Sequence, residues 1–174
     1  MKHTFKELYL AQLQDLYSAE TQLIDALPKL AWRARDEDLK KSFGEHLEET
    51  KEHVARLEKI FEGHSGAKPG GHDCEAMKGL LREGEEALQE EGKDVDGKSG
   101  IMDAHLIASA YRVEHYEIAA YKIAISMARA LDEKADANLL SDTLKDEKEA
   151  ANLLEKMVDG TVFTSGLHEE IANG

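Results

Sequence analysis

Four glutamates occupy helical positions where a buried stripe should carry leucine: Glu20, Glu114, Glu117 and Glu147. At roughly 100° per residue each lies within about 40° of the mean direction of its own apolar stripe, as Glu20 does among Leu13, Leu16, Leu23, Ile24 and Leu27. An ionised carboxylate in a dry interior is so unfavourable that it must be paired, protonated or bound to a metal. A cluster of four calls for cations. On another segment His46, Glu49 and His53 fall at i, i+3 and i+7, so they line one helical face. His46 and His53 lie closer to the apolar stripe there than Glu49, which is roughly 110° from its centre. Mostly carboxylate ligands with one or two imidazoles suit iron or manganese, whereas structural zinc prefers Cys and His.

These side chains can meet only if long helices hold them at one height. A chain of 174 residues with two prolines and 6% aromatic residues, rich in Ala, Leu, Glu and Lys, predicts one all-α domain. Thr4 and Glu7 form a capping box opening a first helix that runs to about Arg35, with a kink expected at Pro28. Asp36, Glu37 and Asp38 open a second helix that stops at Gly63, and the short connection predicts a hairpin. Residues 64–71 read as a loop, and Asp73 caps a shorter helix to about Glu91. After the glycine-rich stretch Gly92 to Gly100, Ser99 caps a long helix ending near Leu131, and Asp132 opens a fourth long helix to Asp159 or Gly160. The domain is thus 1–160, followed by a weakly patterned, partly mobile tail, 161–174. Four long helices with one long crossover carrying a short accessory helix describe a ferritin-like four-helix bundle.

Residues equally far from a turn lie level on antiparallel helices. Glu20 stands about 13 to 15 residues before the first turn and Glu49 about 13 after it, while Glu114 and Glu147 are about 17 and 15 from the second. Two level pairs predict one site with pseudo-twofold symmetry, echoed by Tyr17-x-x-Glu20 and Tyr111-x-x-Glu114.

The formal net charge of −14 argues against a nucleic-acid or anionic-membrane partner, since phosphate binding rests on Lys and Arg. A single cysteine, Cys74, cannot form an internal disulfide, and MKHTFKELYL lacks the apolar run of a secretory signal, so a cytoplasmic location is expected. No stretch is apolar enough for a membrane span. His64, His72 and Cys74 lie close in sequence but lack the paired spacing of a zinc site, and Cys74 reads as a packed core residue. His115 points about 100° away from Glu114. Tyr17, Tyr111 and Tyr121 read as core aromatics whose hydroxyls need partners. The Glu48/Lys51 and Glu52/Arg56 spacings read as ordinary surface pairing.

Several blocks carry a family resemblance: Asp15-x-Tyr17-Ser18-Ala19-Glu20-x-Gln22-Leu23, His46-Leu47-x-Glu49-Thr50, Cys74-x-x-Met77-x-Gly79-Leu80, Val113-Glu114-His115-Tyr116-Glu117-Ile118-Ala119-x-Tyr121 and Leu144-x-x-Glu147-Lys148. Over about residues 4 to 160 the chain resembles the YciF/YciE-like stress proteins of the ferritin-like superfamily. That resemblance implies a di-iron site in a homodimeric bundle linked to stress responses, without a settled reaction. The related rubrerythrins use a Glu-x-x-Glu pair that Glu114 and Glu117 match, with Glu20, Glu49 and Glu147 at the other matching positions. The ferritin Glu-x-x-His pattern becomes Glu49-x-x-x-His53, so His53 and His46 compete as the nitrogen ligand, and Ala151 replaces a frequent acidic residue.

Two readings follow. In one, two irons per chain, or manganese, are held by Glu20, Glu49, His53, Glu114, Glu117 and Glu147, with Glu49 and Glu147 bridging, and the protein acts on oxygen or peroxide or sequesters ferrous iron. In the other, a non-enzymatic dimeric helical module carries a vestigial or structural metal site.

Overall fold

Thr4 and Glu7 close the capping box expected of them: Glu7 N–H donates to Thr4 Oγ1 at 3.1 Å, and Thr4 N–H to the Glu7 carboxylate at 2.9 Å. The computed structural model describes residues 4–91, 100–161 and 164–169. The first helix, α1, runs Phe5–Arg33, passing through Pro28. Asp36 caps α2, Glu37–Glu62, by accepting from Leu39 N–H at 2.8 Å, and Gly63 ends it. The accessory helix α3 spans Glu75–Glu91, α4 spans Ile101–Ala130 and α5 spans Lys134–Asp159. A two-residue antiparallel pairing, β1 Gly160–Thr161 with β2 Thr164–Ser165, gives the start of the tail a hairpin that its weak pattern did not predict.

Three expected caps move by a residue. Met77 N–H points at Cys74 Sγ, 3.5 Å away, so α3 begins behind Cys74 and not behind Asp73. Gly100, which has no side chain to offer, takes the cap position of α4; Ser99 lies outside the described residues. Asp132 adopts a left-handed φ of 59°, a conformation short polar side chains tolerate, and thereby turns the chain one residue before Glu133 leads into α5.

The helix directions follow from paired contacts. Between α1 and α2, Tyr17 meets Glu58 while Glu20 meets His53, so one number rises as the other falls and the pair is antiparallel. Between α2 and α5 the same holds: Arg56 bonds Asp146 while His46 lies near Glu147. The packed neighbours are α1 with α2, α2 with α5, α5 with α4 and α4 with α1, a closed square with α3 laid against α1 and α4. Glu20 meets Tyr121 while Arg35, just past the end of α1, meets Asp103 at the start of α4, so α4 opposes α1, and α2 and α4 run parallel. The chain must then return the length of the bundle between them, which is the work of the segment carrying α3. This is the ferritin-like arrangement. Among the described residues no helix is long and apolar enough to cross a membrane.

The apolar core comes in two blocks. Leu23, Leu27, Phe43, Leu106, Val113 and Leu154 pack at one end. Tyr9, Leu13, Leu57, Ile60, Tyr121 and Leu140 pack at the other. What separates them is a polar belt at mid-height.

Candidate metal centre

Each wall of the bundle contributes to that belt: Glu20 from α1, His46 and His53 from α2, Glu114 and Glu117 from α4, and Glu147 from α5, all buried. Their ligand atoms form two groups, each with its members within 4.8 Å of one another. One group is His46, Glu114, Glu117 and Glu147; the other is Glu20, His53 and Glu147. Glu147 belongs to both. His53 Nδ1 lies 3.0 Å from Glu147 Oε1 and 3.4 Å from Glu20 Oε2. His46 Nε2 lies 3.3 Å from Glu114 Oε1 and 3.8 Å from Glu147 Oε2.

Of the six expected ligands, the fold brings Glu20, His53, Glu114, Glu117 and Glu147 together and leaves Glu49 at the rim, with its side chain 50% exposed. Glu49 reaches the belt only through His46, whose Nδ1 stands 3.2 Å from Glu49 Oε2. The position follows from the helix itself, since Glu49 lies off the stripe that buries both histidines. A cavity of about 120 Å³ lined by His46, Glu49, Glu114 and Leu153 opens on this side.

The belt's polar atoms are poorly served by the protein. Both oxygens of Glu117 and of Glu147, Glu20 Oε2, Glu114 Oε2, His46 Nε2 and both nitrogens of His53 are buried without a hydrogen-bond partner. These groups meet one another as close ion pairs without making hydrogen bonds of good geometry, and a buried polar group left so costs about 1–3 kcal/mol, more if charged. Tyr121 donates to Glu20 and supplies the one protein hydroxyl bonded to the cluster's carboxylates among the described residues.

Charge repulsion and burial leave their mark on the proton affinities. Burial, with the neighbouring carboxylates, pushes Glu117 well above the usual range, and burial likewise pushes up Glu114 and Glu20. Glu147 goes the other way: burial opposes its charge, but the His53 contact and the nearby His46 outweigh it. Burial would depress both histidines, yet Glu114 and Glu49 lift His46 to about 9, and Glu147 and Glu20 lift His53 to about 10. Without a metal, then, protons are what make the belt tolerable. The donor set fits divalent iron or manganese: four carboxylates, a charge of −4, and two neutral imidazoles would balance two divalent cations, +4.

A layer outside the cluster steadies it. His53 Nε2 faces Asp146 Oδ2 at 3.5 Å, and Arg56 holds that carboxylate at 2.6 Å while reaching Thr143 Oγ1 at 3.1 Å. Arg56 thus does more than pair with Glu52 along the helix surface, from which it stands 3.5 Å away. Tyr17 bonds Glu58 at the surface, and Tyr111 packs edge-on against His115 at 4.3 Å, so neither hydroxyl serves the belt.

Of the loose His/Cys neighbourhood, His64 is drawn to Asp136 while His72 and Cys74 share Asp15. His64 Nε2 lies 2.7 Å from Asp136, which also accepts from Tyr9 at 2.9 Å, tying the end of α2 to the starts of α1 and α5. Glu133 completes this group, with Lys6 3.3 Å from it. Cys74 and His72 converge on Asp15: the buried thiol donates to Oδ2 at 3.3 Å, Tyr116 to the same oxygen at 2.5 Å, and His72 Nε2 stands 3.0 Å from Oδ1. Cys74 N–H donates to Ser18 Oγ at 2.9 Å, and Gln22 reaches the Cys74 carbonyl at 3.2 Å. Asp15, Ser18 and Gln22, conspicuous in the first sequence block, therefore anchor the entry of α3, and burial pushes the Cys74 thiol up, away from reactive thiolate chemistry.

Comparison with known proteins agrees with this architecture. The family described as Domain of unknown function (DUF892) matches residues 4–165. The protein YciF of Escherichia coli K12 is 39% identical over 145 residues, 83% of this chain and 84% of that protein. The crystal structure of the E. coli stress protein YciF superposes with a TM-score of 0.81 at 36% identity, covering 92% of this chain and 100% of that one. YcfI of Rhodopseudomonas palustris gives 0.81 at 37% identity over 88% and 94%. With the profile matched over most of its length and a curated relative this similar, the chain belongs to the DUF892 family of YciF-like helical stress proteins.

Proposed function

We propose that the polar belt is a two-metal site, taking iron or manganese at two ions per chain, in a stress-response protein that oxidises ferrous iron or reduces peroxide. The observation that carries it is the set of orphaned buried ligand atoms, grouped in two constellations that share Glu147. Glu147 would serve both ions, Glu20 and His53 the first, and His46, Glu114 and Glu117 the second. His46 replaces Glu49 in the ligand set, leaving Glu49 to hold His46 from outside. When bound, a pair of redox-active metals supplies electrons and Lewis acidity to a small oxidant. The protein's own part is to fix the carboxylates, exclude bulk water with apolar blocks above and below, and hold protons on His46, His53, Glu114 and Glu117 until cations displace them. Asp146, held by Arg56, stands 3.5 Å behind the His53 ring as a charge partner for this exchange. Homodimer formation and a cytoplasmic location accompany this reading.

The test is reconstitution with ferrous iron. About two ions per chain should bind, and Glu20→Ala combined with Glu147→Ala should abolish the binding; unchanged stoichiometry would reject the assignment. A second reading, a non-enzymatic helical module with a structural metal site, draws on the rim position of Glu49. It wins if the loaded protein neither oxidises ferrous iron nor consumes peroxide faster than the metal-free control.

A further inference from the structure

The cavity of about 120 Å³ beside His46 opens between α2 and α5 and is smaller than the pockets that take organic ligands, about 300–1,000 Å³. It has room for an ion with a few of its waters. The exposed part of its lining is acidic: Glu45 and Glu49, one turn apart on α2, and Glu149 on α5, with side chains 61%, 50% and 67% exposed. The inner part includes His46 and Glu114, both buried and both in one ligand group of the belt. Surface carboxylates and belt ligands thus share one small space.

The His46 ring stands across the inner end. Its Nδ1 is 3.2 Å from Glu49 Oε2 on the outer side, while Nε2, which has no hydrogen-bond partner, is 3.3 Å from Glu114 and 3.8 Å from Glu147 on the inner side. Glu45 and Glu149 each meet a lysine one turn away on their own helix, Lys41 and Lys145, both at 3.4 Å. Exposed pairs of this kind are weak and readily exchanged. A larger cavity between α1, α3 and α4 also reaches Glu114, but its lining is mostly apolar and sets Lys29 and Arg33 against Glu85 alone at the outer end. A cleft lined by one sign of charge concentrates the opposite ion, so a divalent cation is steered to the acidic cavity.

Resting on the two-metal reading of the belt, we propose that the cavity between α2 and α5 is the entry port for divalent cations, where Glu45, Glu49 and Glu149 gather the hydrated ion and Glu49 passes it to His46. A turn of the His46 ring admits it. Glu49 is then a transit ligand and not a resident one, which explains why a carboxylate sits at the rim against a belt histidine.

The test is the rate at which the metal-free full chain takes up cobalt(II), followed by visible absorption after rapid mixing, with metal content measured at equilibrium. Leu153 lines the cavity, is 41% exposed and belongs to neither ligand group, so a charge placed there alters the port and not the ligands. Leu153→Glu should load faster than the unmodified chain and Leu153→Arg slower, about tenfold apart at low salt, with the same final stoichiometry. A gain in rate cannot come from structural damage. The gap should narrow in about 0.5 M salt, where exposed charges are screened. Glu49→Gln should slow loading about threefold or more, whereas Glu48→Gln, which removes the same charge from a position outside the cavity, should not. Equal rates for the two Leu153 variants, in protein that still fills both sites, overturn the port and leave the belt standing. Slowing by Ala26→Phe in the larger cavity, with the Leu153 variants unaffected, overturns it in favour of the other route. A chain that takes up no cobalt at all sinks the belt reading and the port together.

Discussion

Glu147 and His53 face each other from α5 and α2 with Oε1 and Nδ1 3.0 Å apart, and the other oxygen of Glu147 looks toward His46. Because both ligand groups include this one carboxylate, its loss should not be local. Glu147→Gln is expected to lower metal uptake from about two ions per chain to none, whereas Glu117→Gln, which touches only one group, should leave about one. Metal analysis after dialysis distinguishes these, and equal stoichiometry in the two variants would contradict the sharing.

The proton affinities of the belt set a direction for stability in the metal-free protein. His46 and His53, near 6.5 when unfolded, rise to about 9 and about 10 on folding, so the folded chain binds more protons than the unfolded one across that interval. Their stabilisation is complete below pH 6.5 and disappears as pH climbs through 9 and 10. The raised Glu114 and Glu117 act in the same sense from a lower starting pH. Glu147, held low by the histidines, gives a separate loss on the acid side, below its ordinary 4.5. Thermal melts of metal-free protein should therefore show a falling midpoint from pH 6.5 to pH 10, and manganese should flatten the decline. A midpoint that rises over this range would show that the belt does not hold its protons.

Away from the belt, Asp103 reaches from the first turn of α4 to the turn between α1 and α2, accepting from Arg35 N–H at 2.8 Å and Asp36 N–H at 3.1 Å. Asp103→Ala leaves these amides without that acceptor and should destabilise the fold by about 1–3 kcal/mol. Urea denaturation measures this; metal stoichiometry should not change.

Long periodic helices and their punctuation were readable in the sequence because the cues are local. Thr4 with Glu7, Asp36 and Gly63 act within one turn of the residues they cap. The inward direction of Glu20, Glu114, Glu117 and Glu147 was readable for the same reason, since an apolar stripe records which way its helix faces. That stripe also favoured His46 and His53 over Glu49, which was singled out by its height opposite Glu20 and by the family pattern; burial follows the stripe. What escaped were contacts between distant positions. Tyr9 with Asp136, Arg56 with Asp146 and Tyr116 with Asp15 pair residues on different helices, Asp103 ties α4 to the turn at Arg35, and no local spacing marks either partner. Their acidic members were indistinguishable in sequence from the solvated residues of a chain with 36 acidic side chains. The cap shifts at Cys74 and Asp132 have a simpler cause: adjacent candidates compete, and tertiary anchoring at Ser18 or a left-handed turn selects one.

Two cations are proposed for the layer between the apolar blocks. Anomalous diffraction at the iron edge from crystals of iron-loaded protein tests this directly. Two peaks flanking Glu147, one beside Glu20 and His53 and the other beside His46, Glu114 and Glu117, are predicted. A belt without anomalous density in protein that has taken up iron, or density confined to surface carboxylates, would contradict it.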